Sequence, residues 1–492
     1  MEKSRIVEIL RTFSKVELKE FEKFIASPFF QRARSVTKFY GVLKKNYPDF
    51  SQKHVNKYSL FAKLYPGVEY KDHIMRNLSS TLLRLIEDYL TIKNFYKDPV
   101  VVKRHLLTEL IDRNIASMND NDINKFESYL SENRHSIENF FFEKYMLENL
   151  KILFKVQRNK QHLISENIAT TAKLNVIDFL KRASVSVPNL QSVADSFNHD
   201  YSRNLLKGFF SSMDLKDFLG QLDTFELEPQ LKIVAKIYCS IIITINEPTD
   251  EHYYSLFSDL LLNNLDYFDR FEKYNLLVTL SSCTSNKAAF ISREKYLPKL
   301  FEIYKLRLEL NLYNFAVNQN MSIIFFFSLL KLGLTLNQTD WVDHFVSKNI
   351  SKLSVDQQVN MKHFAMASIL FSKKHFTRSL EELSKVHFVT PSFKYEMRNL
   401  QLQLYYELHE FESALYALDS YRHFLNSNPS ISGYFRVTLE EFFDLYRQLL
   451  RYRMNNVSDP PDSFYRKINN SVISQKNWLL EKFTQLKNSS EK

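Results

Sequence analysis

The chain has 492 residues and a formal net charge of +10, with 45% hydrophobic and 25% charged residues. Such a length exceeds what one hydrophobic core serves, and such an apolar fraction excludes a disordered chain. Six glycines and twelve prolines are too few for sheets and tight hairpins, so composition points to an all-α protein with short connections.

In chain order, the amino end comes first. Over residues 1–60, Lys and Arg outnumber Asp and Glu by thirteen to six, so most of the positive excess is local. The start, Met1-Glu2-Lys3-Ser4-Arg5, is charged at once, which reads as cytoplasmic rather than as a secretory leader. Residues 14–26 open with a capping box, Ser14 with Glu17, and set Leu18, Phe21 and Ile25 on one stripe. Pro28 ends that helix. A second helix over 35–46 turns Val36, Phe39, Tyr40 and Leu43 inward. Pro66-Gly67 marks a turn. Asp72 then caps a long helix carrying Ile74, Leu78, Leu82, Leu85 and Tyr89, which Pro99 breaks.

The same grammar continues downstream, with polar breaks at 117–124 (SMNDNDIN) and 184–191 (SVSVPNLQ). The second break is the expected soft boundary of the middle. Pro229 fits the first position of a helix with Leu231, Val234, Tyr238, Ile242 and Ile245 inward. Ile241–Ile243 reads as helix on that spacing, with a strand as the other reading. More than twenty helices are expected. The longest apolar runs, 241–245 and 321–330, fall far short of the ~20 residues that span a bilayer. After Asp459-Pro460-Pro461-Asp462, a last helix with Val472, Leu479, Phe483 and Leu486 inward suits the cap of an array. These breaks divide the chain into a basic helical module (1–98), a hairpin array (99–324), a clearer repeat region (325–429) and capping helices (430–492).

A repeat shows in the third of these. Trp341, Phe376 and Phe411 recur at intervals of 35 residues, each after a polar break. Ser379 and Ala414 follow the second and third aromatics at one offset, with Leu383 and Leu418 beyond them. Ala367 is a small residue late in the preceding helix. Residues 360–429, and more weakly 325–359, resemble tetratricopeptide repeats in this layout. His344, Leu332, Leu402 and Tyr421 depart from the family's small residues. The resemblance implies a right-handed α-solenoid of antiparallel helix hairpins. It also implies that a peptide or protein partner touches the first helix of each pair, here at Phe364, Ser368, Phe371, Asn399, Gln403, Tyr406 and Glu407. These lack the Lys and Asn set by which some members hold a terminal carboxylate. The start around FEKFIASPFF is in turn similar to uncharacterised bacterial all-helical proteins, from which no function transfers.

Motifs for chemistry are missing. The glycines at 41, 67, 208, 220, 333 and 433 lie too far apart for GxGxxG or GxxxxGK[ST], and GxSxG is absent. HEFES (409–413) has Ser413 where a second zinc-binding His would stand. DNDINK (120–125) has Lys125 at the glycine position of a calcium loop and Ser131 in place of its bidentate Glu, so it reads as a loop capping the next helix. Cys239 and Cys283 form no CxxC pair and read as buried thiols. No cofactor, metal or catalytic residue is expected.

Two functional readings lead, with a helical enzyme whose site is assembled across helices as the third. One is a non-catalytic protein–protein scaffold or adaptor that uses a helical-repeat surface. The other is nucleic-acid or other anionic-partner binding through Arg32, Arg34, Lys38, Lys44 and Lys45, with neighbouring aromatics available to stack. Against that second reading stands an ordinary solvated helix face with its aromatics packed inward. Partner identity and oligomeric state are left open.

Overall fold

The computed structural model describes residues 4–30, 34–51, 55–134, 139–197, 200–201, 203–314, 319–387, 391–427, 433–455, 457, 460–471, 473 and 475–488. Among them are 24 α-helices and no strand. The first eight are α1 (Arg5–Thr12), α2 (Lys15–Ala26), α3 (Arg34–Lys44), α4 (Lys57–Leu64), α5 (Asp72–Phe95), α6 (Pro99–Asp112), α7 (Asp120–Glu132) and α8 (Phe140–Gln157). Next come α9 (Ser165–Phe197), α10 (Leu205–Ser212), α11 (Leu215–Gln221), α12 (Pro229–Asn246), α13 (Glu251–Asn263), α14 (Arg270–Phe290) and α15 (Arg293–Glu309). The last are α16 (Ile323–Thr335), α17 (Thr339–Asn349), α18 (Val355–Ser372), α19 (Phe376–Ser384), α20 (Pro391–Glu407), α21 (Phe411–Asn426), α22 (Gly433–Met454), α23 (Asp462–Asn470) and α24 (Lys476–Asn488). Helices pack chiefly against their chain neighbours, most closely α12 on α13, α14 on α15 and α18 on α19. No helix among the described residues is long and apolar enough to cross a membrane.

The chain divides into two compact units: residues 1–131 with 146–167, and residues 132–145 with 168–492. In the first, α1 to α5 enclose an aromatic core. Phe21 meets Tyr40 edge-on at 4.9 Å and Tyr89 at 5.3 Å. The capping box forms as expected, with Ser14 Oγ accepting from Glu17 N–H and Glu17 accepting from Ser14 N–H at 2.8 Å. Glu17 and Glu20 both reach Lys93 of α5, at 3.1 and 3.0 Å. Asp72 is the first residue of α5 and not its cap; it accepts from Tyr70 Oη at 2.8 Å. Its charge still suits the positive end of the helix.

In the second unit, the expected break at 184–191 is absent, because α9 runs through Pro188. Proline removes a helical hydrogen bond, but burial of Leu180, Ala183 and Ser184 just upstream holds the helix. Ile241–Ile243 lie in α12 and are buried. Residues 120–125, expected as a loop, instead form the start of α7; the cap lies just before them, with Asn119 Oδ1 accepting from Asn121 N–H and Asp122 accepting from Asn119 N–H. Cys239 and Cys283 are free and buried, and burial pushes both thiols up to about 12. Val472 lies outside the described residues.

The scarcity of glycine has a structural consequence at helix ends. Six helices end on a non-glycine residue of positive φ: Asn114, Asn159, Asn311, Asn337, Lys374 and His409. Each sits in a Schellman turn, its own N–H bonding back three residues and the next N–H bonding back five, as in His375 to Leu370 O and Glu410 to Tyr405 O, both 2.9 Å. Asn tolerates this conformation better than Lys or His. The turns also correct the register of the first repeat. Lys374 and His409 lie 35 residues apart, but Asn337 lies 37 before Lys374. Thr339, not Trp341, therefore matches Phe376 and Phe411. Val342, not the exposed His344, takes the place of Ser379 and Ala414, each donating to the residue four before it. Gly333 explains the slip. A Cβ there would stand 2.5 Å from Val342 Cγ2, so bare backbone in α16 admits a larger residue in α17.

Near the start of α14, Asp269, Glu272 and Lys181 form a buried group, with Lys181 Nζ 2.7 Å from Glu272. Burial, and then the charge of Glu272, push the Asp269 carboxyl up to about 6.

Two outcomes follow from these features. Lys374→Gly is expected to raise stability by about 1 kcal/mol, because only glycine adopts positive φ without strain; the urea midpoint measures it. Asp269 holds its proton in the folded state up to about pH 6, whereas the unfolded chain sheds it near 4. Stability should therefore fall as pH rises through that window, by about 2–3 kcal/mol for this group, and stay lowered above it. Asp269→Asn, which keeps the cap, should flatten that part of the stability–pH curve.

Candidate functional site

A cleft in the second unit lies on α16, α18 and α20, with α24 as a fourth wall. It is set by how closely the paired helices approach. Ser379 is fully buried, and its Oγ donates to Ala367 O at 2.7 Å, which draws α19 against α18. Between α16, α18 and α20 an open space of about 470 Å³ is left.

Five residues expected to meet a partner come together here: Phe364, Ser368, Phe371, Asn399 and Gln403. Phe364 and Phe371 supply aromatic wall, and Phe371 packs on Phe376 at 5.6 Å. Ser368 Oγ donates to Phe364 O at 2.9 Å. Asn399 is 5% exposed, and its Oδ1 has no hydrogen-bond partner. An uncompensated buried amide oxygen is costly in a folded protein, by about 1–3 kcal/mol. The other two expected residues are already engaged by the chain. Glu407 lines the cleft, but accepts from Trp478 Nε1 at 2.7 Å and from Lys482 Nζ at 2.6 Å. Tyr406 is buried beside the cleft, its ring 5.4 Å from Trp478.

The charged groups of the walls are matched. Lys331 pairs with Glu396 at 2.5 Å, Lys482 with Glu407, and Lys374 with Glu481 at 3.8 Å. Spacing within the repeats identified none of the α24 residues, since Trp478 lies 71 positions from Glu407. One of only two tryptophans in the chain, four residues before a lysine, was the available signal.

The anionic-partner residues lie in the first unit. Lys38 and Lys45 are exposed, on and just after α3. Lys44 is partly buried and pairs with Glu22 of α2 at 2.6 Å. Arg32 and the Arg34 side chain lie outside the described residues. Among the described residues no group of three His, Cys, Asp or Glu is placed to hold a metal ion.

Comparison with protein-family models, with curated proteins and with solved structures finds no match.

Lys482 is 4% exposed and Glu407 is its closest acidic partner. Removing one partner of a buried pair strands the other charge, at a cost of about 3–5 kcal/mol. Lys482→Met should therefore lower the urea midpoint strongly, and Lys482→Met with Glu407→Leu should recover much of the loss. A double variant no more stable than the single would show that the pair does not hold α24 in place.

Proposed function

We propose that this chain is a non-catalytic interaction scaffold whose second unit stacks helix hairpins in the manner of a tetratricopeptide array. Its cleft holds a short extended segment of a partner protein. The observation that carries this reading is the unpartnered Asn399 amide among aromatic walls. A carboxamide offers one acceptor and two donors, which suits the N–H and C=O of a peptide backbone. That oxygen is itself buried, so a peptide N–H would meet it on a turn of the Asn399 side chain toward the cleft.

The recurring helix–turn–helix register supports the array, because such a pair cannot bury both faces alone and must stack. Wall chemistry limits the ligand further. Three lysines and three glutamates face each other in pairs, so the cleft offers little to a charged side chain. Phe364, Phe371 and Trp478 offer more to an apolar one. The segment is therefore an uncharged, apolar-anchored stretch of chain, read by amides and rings.

Selection of displayed random peptides against the full chain tests this. Enriched peptides should be apolar and nearly uncharged. Their affinity should drop tenfold or more in Asn399→Leu, a substitution that removes the amide at similar volume and leaves the melting temperature unchanged or higher. Peptides that bind Asn399→Leu as tightly as the parent would refute the cleft as the binding site.

A further inference from the structure

We infer that the outer face of α2 and α3 is a docking surface for the sugar–phosphate backbone of nucleic acid, bound without sequence preference. The deciding feature is a row of three lysines that the sequence reading did not single out. Lys15, Lys19 and Lys23 stand one turn apart on α2 and all are exposed. Leu18, Phe21 and Ile25 occupy the opposite, buried side. On α3, Lys38 lies opposite the buried Val36, Phe39, Tyr40 and Leu43, and Lys45 follows one residue past the helix on the same side. Tyr40 Oη donates to Leu18 O at 2.8 Å, so both helices share one core and turn these lysines to solvent.

None of the five has a side-chain hydrogen-bond or ion-pair partner among the described residues, which is also true of the exposed Lys63, Lys71, Arg84 and Lys97 of the same unit; what sets the five apart is that they stand together on two packed helices, in a unit that pairs many of its other cations. Arg5 meets Glu87, Lys44 meets Glu22, Lys57 meets Asp72, and Lys93 meets Glu17 and Glu20. Three glutamates thus lie on α2 itself, and all are directed at α3 or α5 rather than at the lysine row. Like charges one turn apart repel, and a lysine at the first helical position opposes the helix dipole. Glu20 and Glu22, three residues from Lys23 and Lys19, offset part of this repulsion, and a polyanion outside the chain would relieve the rest.

The occupant follows from the chemistry of the face. Lysine is a point charge that neutralises phosphate without the planar fork that reads bases. The row advances about 6 Å per lysine, a regular positive edge suited to a polyanion of regular charge. A membrane surface would require a broad apolar flank beside the lysines, and the apolar side of α2 is spent on the core. The exposed ring of Phe29 does not supply that flank: with Phe30 it lines a dent against Asp88, Thr91 and Ile92 of α5.

The test uses the full chain and a short fluorescein-labelled DNA duplex of arbitrary sequence, read by anisotropy. Neutralising about five phosphates predicts a loss of affinity of roughly 500-fold between about 50 and 200 mM NaCl. In a Lys15→Gln/Lys19→Gln/Lys23→Gln variant, which keeps helix propensity, the affinity at low salt should fall and the salt loss should shrink to about 10-fold. Arginine at the same three positions should restore both. Equal affinity and equal salt dependence in the glutamine variant would overturn the inference. So would binding to phosphatidylserine vesicles with none to the duplex.

Discussion

Close packing of neighbouring helices is the constraint on which the second unit depends. Helices much shorter than about 12–15 residues are marginal in water by themselves, and α19 has 9. It is held by pressing against both α18 and α20. The contact with α18 needs small groups, and the chain finds them in more than one way. Between α18 and α19 a buried serine bonds directly to backbone. In the next pair Ala414 is fully buried at the matching position. Between α16 and α17 the smallness has moved to the other partner, with Gly333 facing Val342. The interhelical space is preserved while the residue that provides it changes sides.

That exchange explains how much could be read in advance. Helices were legible because apolar residues recur with a 3.6-residue period, and burial follows those stripes from Leu18, Phe21 and Ile25 through Leu479, Phe483 and Leu486. The 35-residue interval was legible for α19 and α21, where aromatic and small residues keep their offsets. It misled for α17, because Trp341 stands 35 residues before Phe376 while the turn has moved by two. Trp341 stacks on Phe345 at 5.4 Å, two positions deeper in its helix than the aromatics it was aligned with. Pro188 misled for a different reason: local propensity argued for a break, and burial of the preceding turn outweighed it.

The cleft was legible by halves. Helical spacing on α18 and α20 placed five residues on one wall, since residues one turn apart share a face. The opposite wall could not be read, because α24 is remote in sequence and reaches the cleft only through packing. α24 has two duties. Leu479, Phe483 and Leu486 join the terminal hydrophobic cluster with Phe464 and Ile468, which closes the end of the unit. The same buried face presents Trp478 and Lys482 to Glu407. Capping and wall-building therefore share one helix, and a change that loosens the cap also deforms the cleft.

Charge is handled in opposite ways in the two units. In the cleft, cations sit beside anions and the walls are left nearly neutral, which discourages an ionic ligand because it would have to break existing pairs before making its own. On α2 the anions are drawn to flanking helices, and the lysines are left in water, where an exposed ammonium keeps its hydration but repels its neighbours. Glu22 and Glu20 stand three residues from Lys19 and Lys23 on the same helix, yet their ion pairs run to other helices. Glu17 and Glu20 instead point to Lys93, and Glu22 points to Lys44, so α2 is sorted into an anionic pair of flanks and a cationic outer face. The flanks hold the module together, and the outer face is left cationic.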